Sequence, residues 1–363
     1  MMKILAAFDS FKESMTAYAA GEAVQRAYNN VHICPLADGG EGTMEVMNRY
    51  LHGDIHEIEV AGPLFKTVHA KLAIMDDLAI IESAQACGLD YLTEEEKNGT
   101  EATSYGVGEM MRYAYDHGVK RFLLTLGGSA CNDGGIGLLS GMGYGFFDQF
   151  DQRIPMNARG LETLDHIKKT RLDLSNIEVE GACDVINPLC GKEGATYVFG
   201  PQKKVKDLEK TDQAMKHYAK IMSELVDKDD SCVPGAGAAG GMGYAIVTGL
   251  NGKLVTGFDA VSRTVHLEEA IQKADIIFTG EGKMDHQTLY GKTPIGVLRL
   301  AQKYNKPVVA FCGKCEDKET LLEAGFEDVR CINHTDEPLS VLLEKGPQYL
   351  EEEVRRYLEE KNV

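Results

Sequence analysis

No stretch of this 363-residue chain is apolar for the roughly 18 residues that a membrane-spanning helix requires. The opening Met-Met-Lys-Ile runs straight into a strand pattern, with no signal-peptide pattern before it. A reducing cytoplasm is therefore the expected compartment. Basic residues are in short supply, 38 Lys and Arg against 56 Asp and Glu, for a net charge of −18. No basic stripe interrupts that excess, which excludes a polyanion-binding surface and with it a nucleic-acid role. The nine cysteines are odd in number and follow no framework, so a disulfide scaffold is not expected. Cys312-Gly-Lys-Cys315 is a lone pair of hooks where a structural zinc site uses two. Internal repeats and low-complexity linkers are also missing.

What is present is the composition of an ordinary globular protein, 44% apolar and 26% charged, with length enough for two domains. Lys3 to Phe8 reads as a buried strand and ends at Asp9-Ser-Phe-Lys12. Thr16 stands where it can cap a helix whose Ala20, Ala23, Val24 and Ala27 share one face. Val31 to Leu36 reads as a second strand, ending at a charged glycine turn before another helix. That alternation is the grammar of a parallel sheet with ligands at its carboxyl ends. From about Ile55 three closely spaced strands, with turns at Gly62-Pro63 and Asp76-Asp77, suggest antiparallel pairing. After residue 265 the parallel grammar returns, with strands at Asp275–Thr279, Pro307–Cys312 and Val329–Asn333. Two strands are too few for a closed α/β core. The expectation is α/β: a discontinuous, Rossmann-like, doubly wound parallel-sheet domain from residues 1–60 plus 265–363, with a mixed α/β domain, 61–264, inserted between its halves. The groove between the domains is the expected place for a site.

Two phosphate signatures fail on context. Gly235-Ala-Gly-Ala-Ala-Gly240 fits the dinucleotide fingerprint by letters, with Asp259 about 20 residues on, but a turn rather than a strand precedes it. Gly291-Lys292-Thr293 resembles the end of a Walker A loop, yet His286 occupies the position of the earlier glycine. The stronger signal is accumulation. Asp9 to Lys12, Asp38-Gly-Gly-Glu41, Ser129 to Gly135, Asp184 to Gly191, Gly200 to Lys203 and Gly280 to Asp285 all combine glycine or proline turns with carboxylates, amides or lysine. Most of them follow strand candidates. Lys192, Lys203, Lys204, Lys283 and Lys292 place positive charge in the same glycine-rich surroundings, as a small anion would require. Backbone N–H groups and lysines to offset a triphosphate, carboxylates to hold Mg²⁺ and one carboxylate to take a hydroxyl proton are the parts of phosphoryl transfer.

Read in order, Asp9-Ser-Phe-Lys12, Ala37-Asp-Gly-Gly-Glu-Gly-Thr43, Leu126-Gly-Gly-Ser-Ala-Cys-Asn-Asp-Gly-Gly135, Ala182 to Gly191, Phe199-Gly-Pro-Gln-Lys203, Pro234 to Gly241 and Thr279-Gly-Glu-Gly-Lys-Met-Asp285 resemble the signatures of the bacterial class I glycerate kinases. The resemblance covers nearly the whole chain. It implies ATP-dependent, Mg²⁺-requiring phosphorylation of D-glycerate, usually on the 2-hydroxyl, by a two-domain α/β enzyme. Cys131 and Ile186 stand where the family often has Thr, Lys204 where Gly is common and Lys283 where Arg is common. Lysine at 283 lacks the bidentate fork of arginine.

On this reading Lys12 and Lys203 contact phosphate or the substrate carboxylate, with Asp9 and Ser10 beside the substrate. Asp38 and Glu41 meet metal or substrate hydroxyls. Gly127, Gly128 and Ser129 cradle an anion, Asn132 and Asp133 meet phosphates or metal, with Asp133 the metal candidate, and Gly280, Glu281 and Lys292 join the nucleotide site. Asp184 and Asp285 are alternative bases. The expected cofactors are ATP and Mg²⁺ and the expected partner is D-glycerate, with no nucleic acid and no membrane; assembly into a homo-oligomer is left open. An NAD-dependent dehydrogenase of small hydroxy acids and a non-catalytic binder of phosphorylated metabolites are the alternatives.

Overall fold

The computed structural model describes residues 1–40, 42–285, 292–334 and 337–362. Among them thirteen strands run in the order β1 (Ile4–Phe8), β2 (Val31–Ile33), β3 (Asp54–Ala61), β4 (Thr67–Met75), β5 (Leu78–Glu82), β6 (Arg121–Thr125), β7 (Gly145–Phe147), β8 (His166–Lys168), β9 (Glu178–Ala182), β10 (Lys253–Val255), β11 (Ile276–Met284), β12 (Val308–Cys315) and β13 (Asp328–Cys331). Two compact units share them, one of residues 1–38, 45–51 and 258–363, the other of residues 39–44 and 52–257. No helix of the described residues is long and apolar enough to cross a membrane.

The first unit is built on a five-stranded sheet in the order β13-β12-β11-β1-β2, parallel throughout. Every residue of β1 is buried, as a strand covered on both faces must be, which is why the sequence shows an unbroken apolar run there instead of alternation. Ile4, Ala6 and Phe8 pack with Ala20, Ala23 and Val24 of the helix Ala17–Ala27 and with Leu350, Val354 and Tyr357 of the C-terminal helix Gly346–Glu360. The two ends of the chain thus complete one core. The Thr16 side chain accepts the Ala19 N–H, and the helix starts there.

β11 is long because it continues past the core as Gly280-Glu-Gly-Lys-Met284. Gly280 pairs in register with Phe311, and a Cβ at 280 would lie 1.8 Å from the Phe311 carbonyl oxygen. Absence of a side chain there is a condition of strand pairing. Gly280→Ala is expected to destabilise the unit by about 3 kcal/mol, the upper end for overpacking, because backbone rather than a flexible side chain is in the way. A melting temperature equal to that of the parent would contradict this.

The second unit holds a six-stranded mixed sheet, β10-β9-β6-β5-β4-β3, and a small β7-β8 ribbon. β3 and β4 pair antiparallel, as do β4 and β5, while β5, β6, β9 and β10 are parallel. The antiparallel pairing read from closely spaced strands is present. β3 belongs to this second sheet rather than to the first, although residues 54–60 fell on the other side of the limit read from sequence. Its eight residues pair with β4 across the turn at Gly62-Pro63, and a local hairpin partner costs little loop entropy. The long helix Leu208–Val226 begins where it does because the Asp207 carboxylate caps it by accepting the Lys210 N–H.

Candidate active site

In each unit the chemistry-bearing residues gather beyond the carboxyl ends of the parallel strands. In the first unit Asp9 follows β1 directly, and its N–H donates to the Gly280 carbonyl of β11 at 3.0 Å. A tight turn, closed by Phe11 N–H to Met15 O at 2.9 Å, carries Ser10 and Lys12 to the surface. The ideal Cβ position of Gly282 lies 3.5 Å from the Lys12 nitrogen, so the two strand ends lie side by side. Among the described residues Lys12 has no ion-pair partner. Glu281 follows Gly280 and takes Lys292 Nζ at 3.4 Å. Asp285 receives Lys283 Nζ at 3.2 Å, and the same ammonium reaches Glu316 at 2.9 Å. Lysine at 283 divides its charge between two acids, and they raise its pKa, Glu316 more than Asp285.

Asp9 is the most perturbed carboxyl of this edge. Withdrawal from solvent pushes its pKa up to about 7; the hydrogen bonds from Thr293 Oγ1 at 2.6 Å and Ser10 N–H at 2.7 Å oppose that, and the charges of Asp38 and Glu281 add to it. Asp38 and Glu281 are thus within electrostatic reach of Asp9, but among the described residues no three carboxylate, histidine or cysteine side chains stand close enough together to hold a metal ion. In metal-free buffer, a carboxyl whose folded pKa lies above its unfolded value lends stability below the unfolded pKa and loses it as pH rises through about 7. Asp9→Asn is therefore expected to melt higher than the parent at pH 8 in EDTA, with the gap closing toward pH 4. A gap independent of pH would contradict the shift.

In the second unit the ends of β5, β6, β9 and β10 meet the turn that starts at Gly39. Gly39 has φ +86°, and a Cβ there would lie 2.5 Å from the Gly257 Cα just beyond β10. Asp184, exposed after β9, accepts the Gly257 N–H at 3.1 Å. Gly127 and Gly128 are exposed at the end of β6, Gly128 with φ +70°, and among the described residues neither N–H has an acceptor. Ser129 lies behind them, and its hydroxyl accepts from Lys203 Nζ at 3.0 Å. Glu41 lies outside the described residues.

Several candidates prove to be interior, Ser129 and Gly280 among them, and three carry the buried polar contacts of this unit. Lys203 is 3% exposed, and its ammonium also donates to the Cys131 carbonyl at 2.7 Å; burial holds its pKa below the ordinary lysine range. Asn132 is fully buried, with Nδ2 donating to Thr196 Oγ1 at 2.9 Å. Asp133, also fully buried, accepts from Ser104 N–H and Ser104 Oγ, both at 2.8 Å, from Gly135 N–H at 3.0 Å and from Gly137 N–H at 3.3 Å. Burial raises the Asp133 pKa, and those four bonds act against it. A metal ion at Asp133 would have to displace donors that shape the loop behind Gly127 and Gly128. The sequence reading of Asp133 as a metal ligand thus meets a carboxylate already occupied by the fold.

One residue of this edge escaped the sequence reading. Glu82 ends β5, is 3% exposed and accepts the Met44 N–H at 2.8 Å, which ties the turn after Gly39 to the sheet. Its signal was a carboxylate closing the apolar run Leu78-Ala-Ile-Ile.

The glycines of 235–240 serve packing. A Cβ at Gly237 would lie 2.3 Å from the Pro188 carbonyl oxygen, and one at Gly240 2.1 Å from that of Cys131, so protein backbone fills the space a pyrophosphate would need. No strand leads into them. The dinucleotide reading is not supported. At the Walker-like letters, Thr293 and Lys292 engage Asp9 and Glu281, while residues 286–291 lie outside the described residues.

Comparison with known proteins agrees over the whole chain. Residues 4–360 match the glycerate kinase family. Glycerate kinase of Haemophilus influenzae is 39% identical, with 96% of each chain covered, and glycerate kinase of Halalkalibacterium halodurans is 36% identical over 98% of this chain and 97% of its own. Glycerate 2-kinase of Escherichia coli is 38% identical over 87% of this chain and 86% of its own. A crystal structure solved under the name glycerate kinase 2, from Salmonella typhimurium LT2, superposes with a TM-score of 0.91 at 37% identity, covering 99% of this chain and 98% of that one.

Proposed function

The chain belongs to the glycerate kinase family, and from that premise we propose that it transfers the γ-phosphoryl group of ATP to the 2-hydroxyl of D-glycerate, giving 2-phosphoglycerate and ADP. The observation that carries the reading is the pair of N–H groups at the exposed Gly127 and Gly128, which have no acceptor among the described residues, at the end of a parallel strand. Such groups, fixed before the ligand arrives, bind phosphate oxygens with little reorganisation. Lys203, Asn132 and Asp133 hold that loop from behind, and Ser129 links it to Lys203.

Lys12, exposed at its turn, meets the transferred phosphoryl group or the substrate carboxylate, and Ser10 lies beside it. Lys292 sits where it neutralises nucleotide phosphate. Among the described residues no group of three ligands is preformed for a metal ion; Asp9, whose ionisation is hindered first by burial and then by the charges of Asp38 and Glu281, is the acid we assign to a magnesium ion shared with the phosphates. Mg²⁺ keeps waters and shares itself with phosphates, so one or two of these acids suffice. When bound there it would supply charge neutralisation for the triphosphate. Asp184, exposed and held by the Gly257 N–H, is the carboxylate we assign to the hydroxyl proton, with Asp285, paired to Lys283, as the alternative.

The test is a coupled assay of ADP release by the purified chain. Release is expected with D-glycerate and Mg·ATP, and it should fall when EDTA is added. ADP release that is independent of glycerate would remove the proposal. NAD should produce no thermal shift.

A further inference from the structure

A cavity of about 500 Å³ opens in the first unit at the opposite edge of the sheet from Asp9. It is lined at the amino ends of β1 and β2, and Leu5, its lining residue nearest to Asp9 along β1, is four residues away, about 13 Å at roughly 3.3 Å each. Its volume falls within the range of small-molecule sites.

The lining is unusual for a chain of net charge −18. Lys3, His32, His266 and Lys273 face one carboxylate, Glu269, and the phenol of Tyr50. Glu269 is held only loosely by its neighbours, at 3.8 Å from Lys273 and 3.9 Å from His266. The nearby Asp275 is turned to the Lys3 backbone N–H at 2.7 Å. Among the described residues the Lys3 ammonium, the His32 ring and the Tyr50 hydroxyl have no hydrogen-bond or ion-pair partner. Ile4, Val31 and Ala270 supply an apolar floor.

We propose that this cavity is a second binding site, for a small organic anion that carries a phosphate or carboxylate group on a compact apolar body. The apolar body rests on the floor, and the acid group lies among Lys3, Lys273 and the two histidines. Partial burial, and then the charge of Lys273, hold the His32 pKa below its ordinary value. An anion would reverse that second influence, so binding draws a proton onto His32. Nothing in this proposal depends on which reaction the carboxyl edge performs.

The experiment is histidine and backbone NMR on the full-length chain, titrated separately with phenyl phosphate, benzoate and inorganic phosphate. Saturable shifts of His32 and His266, with the His32 titration midpoint moved upward, are expected with phenyl phosphate, with benzoate or with both; the arm that responds identifies the acid group. Lys3→Gln/Lys273→Gln, which changes exposed side chains, should weaken that binding at least 10-fold while its melting temperature and ADP release stay as in the parent. Shifts confined to Gly127 and Gly128, equal affinity in the variant, saturation by inorganic phosphate alone, or no saturation would each overturn the proposal.

Discussion

Lys12→Ala is expected to lower kcat/KM by about 10²–10³-fold, the usual loss when one charge-stabilising donor is taken from a reacting oxyanion. The effect should be on the reaction alone. Lys12 stands exposed at the tip of the Phe11 to Met15 turn and, among the described residues, makes no ion pair, so its removal costs the fold nothing that a melting curve would show. Replacement by arginine should recover part of the rate, since the positive charge returns with different geometry. Parent-like kcat/KM in Lys12→Ala would place the cationic contact elsewhere.

Asp133→Ala is the opposite case, a large effect on the fold. Four buried donors, from Ser104, Gly135 and Gly137, lose their acceptor at once. Each buried orphan costs roughly 1–3 kcal/mol, and partial relaxation keeps such costs from adding fully, so a loss of about 3 kcal/mol or more is expected. For a unit of this size that corresponds to a fall in melting temperature of about 6–12 °C. The magnesium concentration for half-maximal rate should stay unchanged in the protein that remains folded. An unchanged melting temperature with a raised magnesium requirement would return Asp133 to the role of metal ligand.

The contrast between these two residues shows where sequence was sufficient. The short, continuous apolar runs at β1, β11 and β12 announced a sheet buried on both faces, and the spacing of Leu350, Val354 and Tyr357 announced a helix that covers it. Both are local patterns. That the chain ends share one sheet followed from counting strands. The turns were legible too, because glycine, acid and lysine together after a strand are rare as mere surface.

Depth was not legible. Asp133 and Lys203 carry the letters of a metal ligand and a phosphate contact, but their roles depend on whether water reaches them, and that is set by the helices and loops packed over the 127–137 segment. Glu82 was passed over because its partner, the Met44 N–H, lies 38 residues earlier and on another element. Gly235 to Gly240 show the reverse error: a motif by spelling, whose glycines are required by the Pro188 and Cys131 carbonyls and not by a ligand. Position 60 failed as a domain limit for a related reason, since β3 is claimed by its hairpin partner β4.

The most direct measurement is ³¹P NMR of the mixture after the purified chain has consumed limiting Mg·ATP in the presence of D-glycerate. We predict a new phosphate-ester resonance split into a doublet by the single proton on C2, appearing in step with ADP. Orthophosphate in place of an ester, or ATP left intact, would contradict the account at its centre.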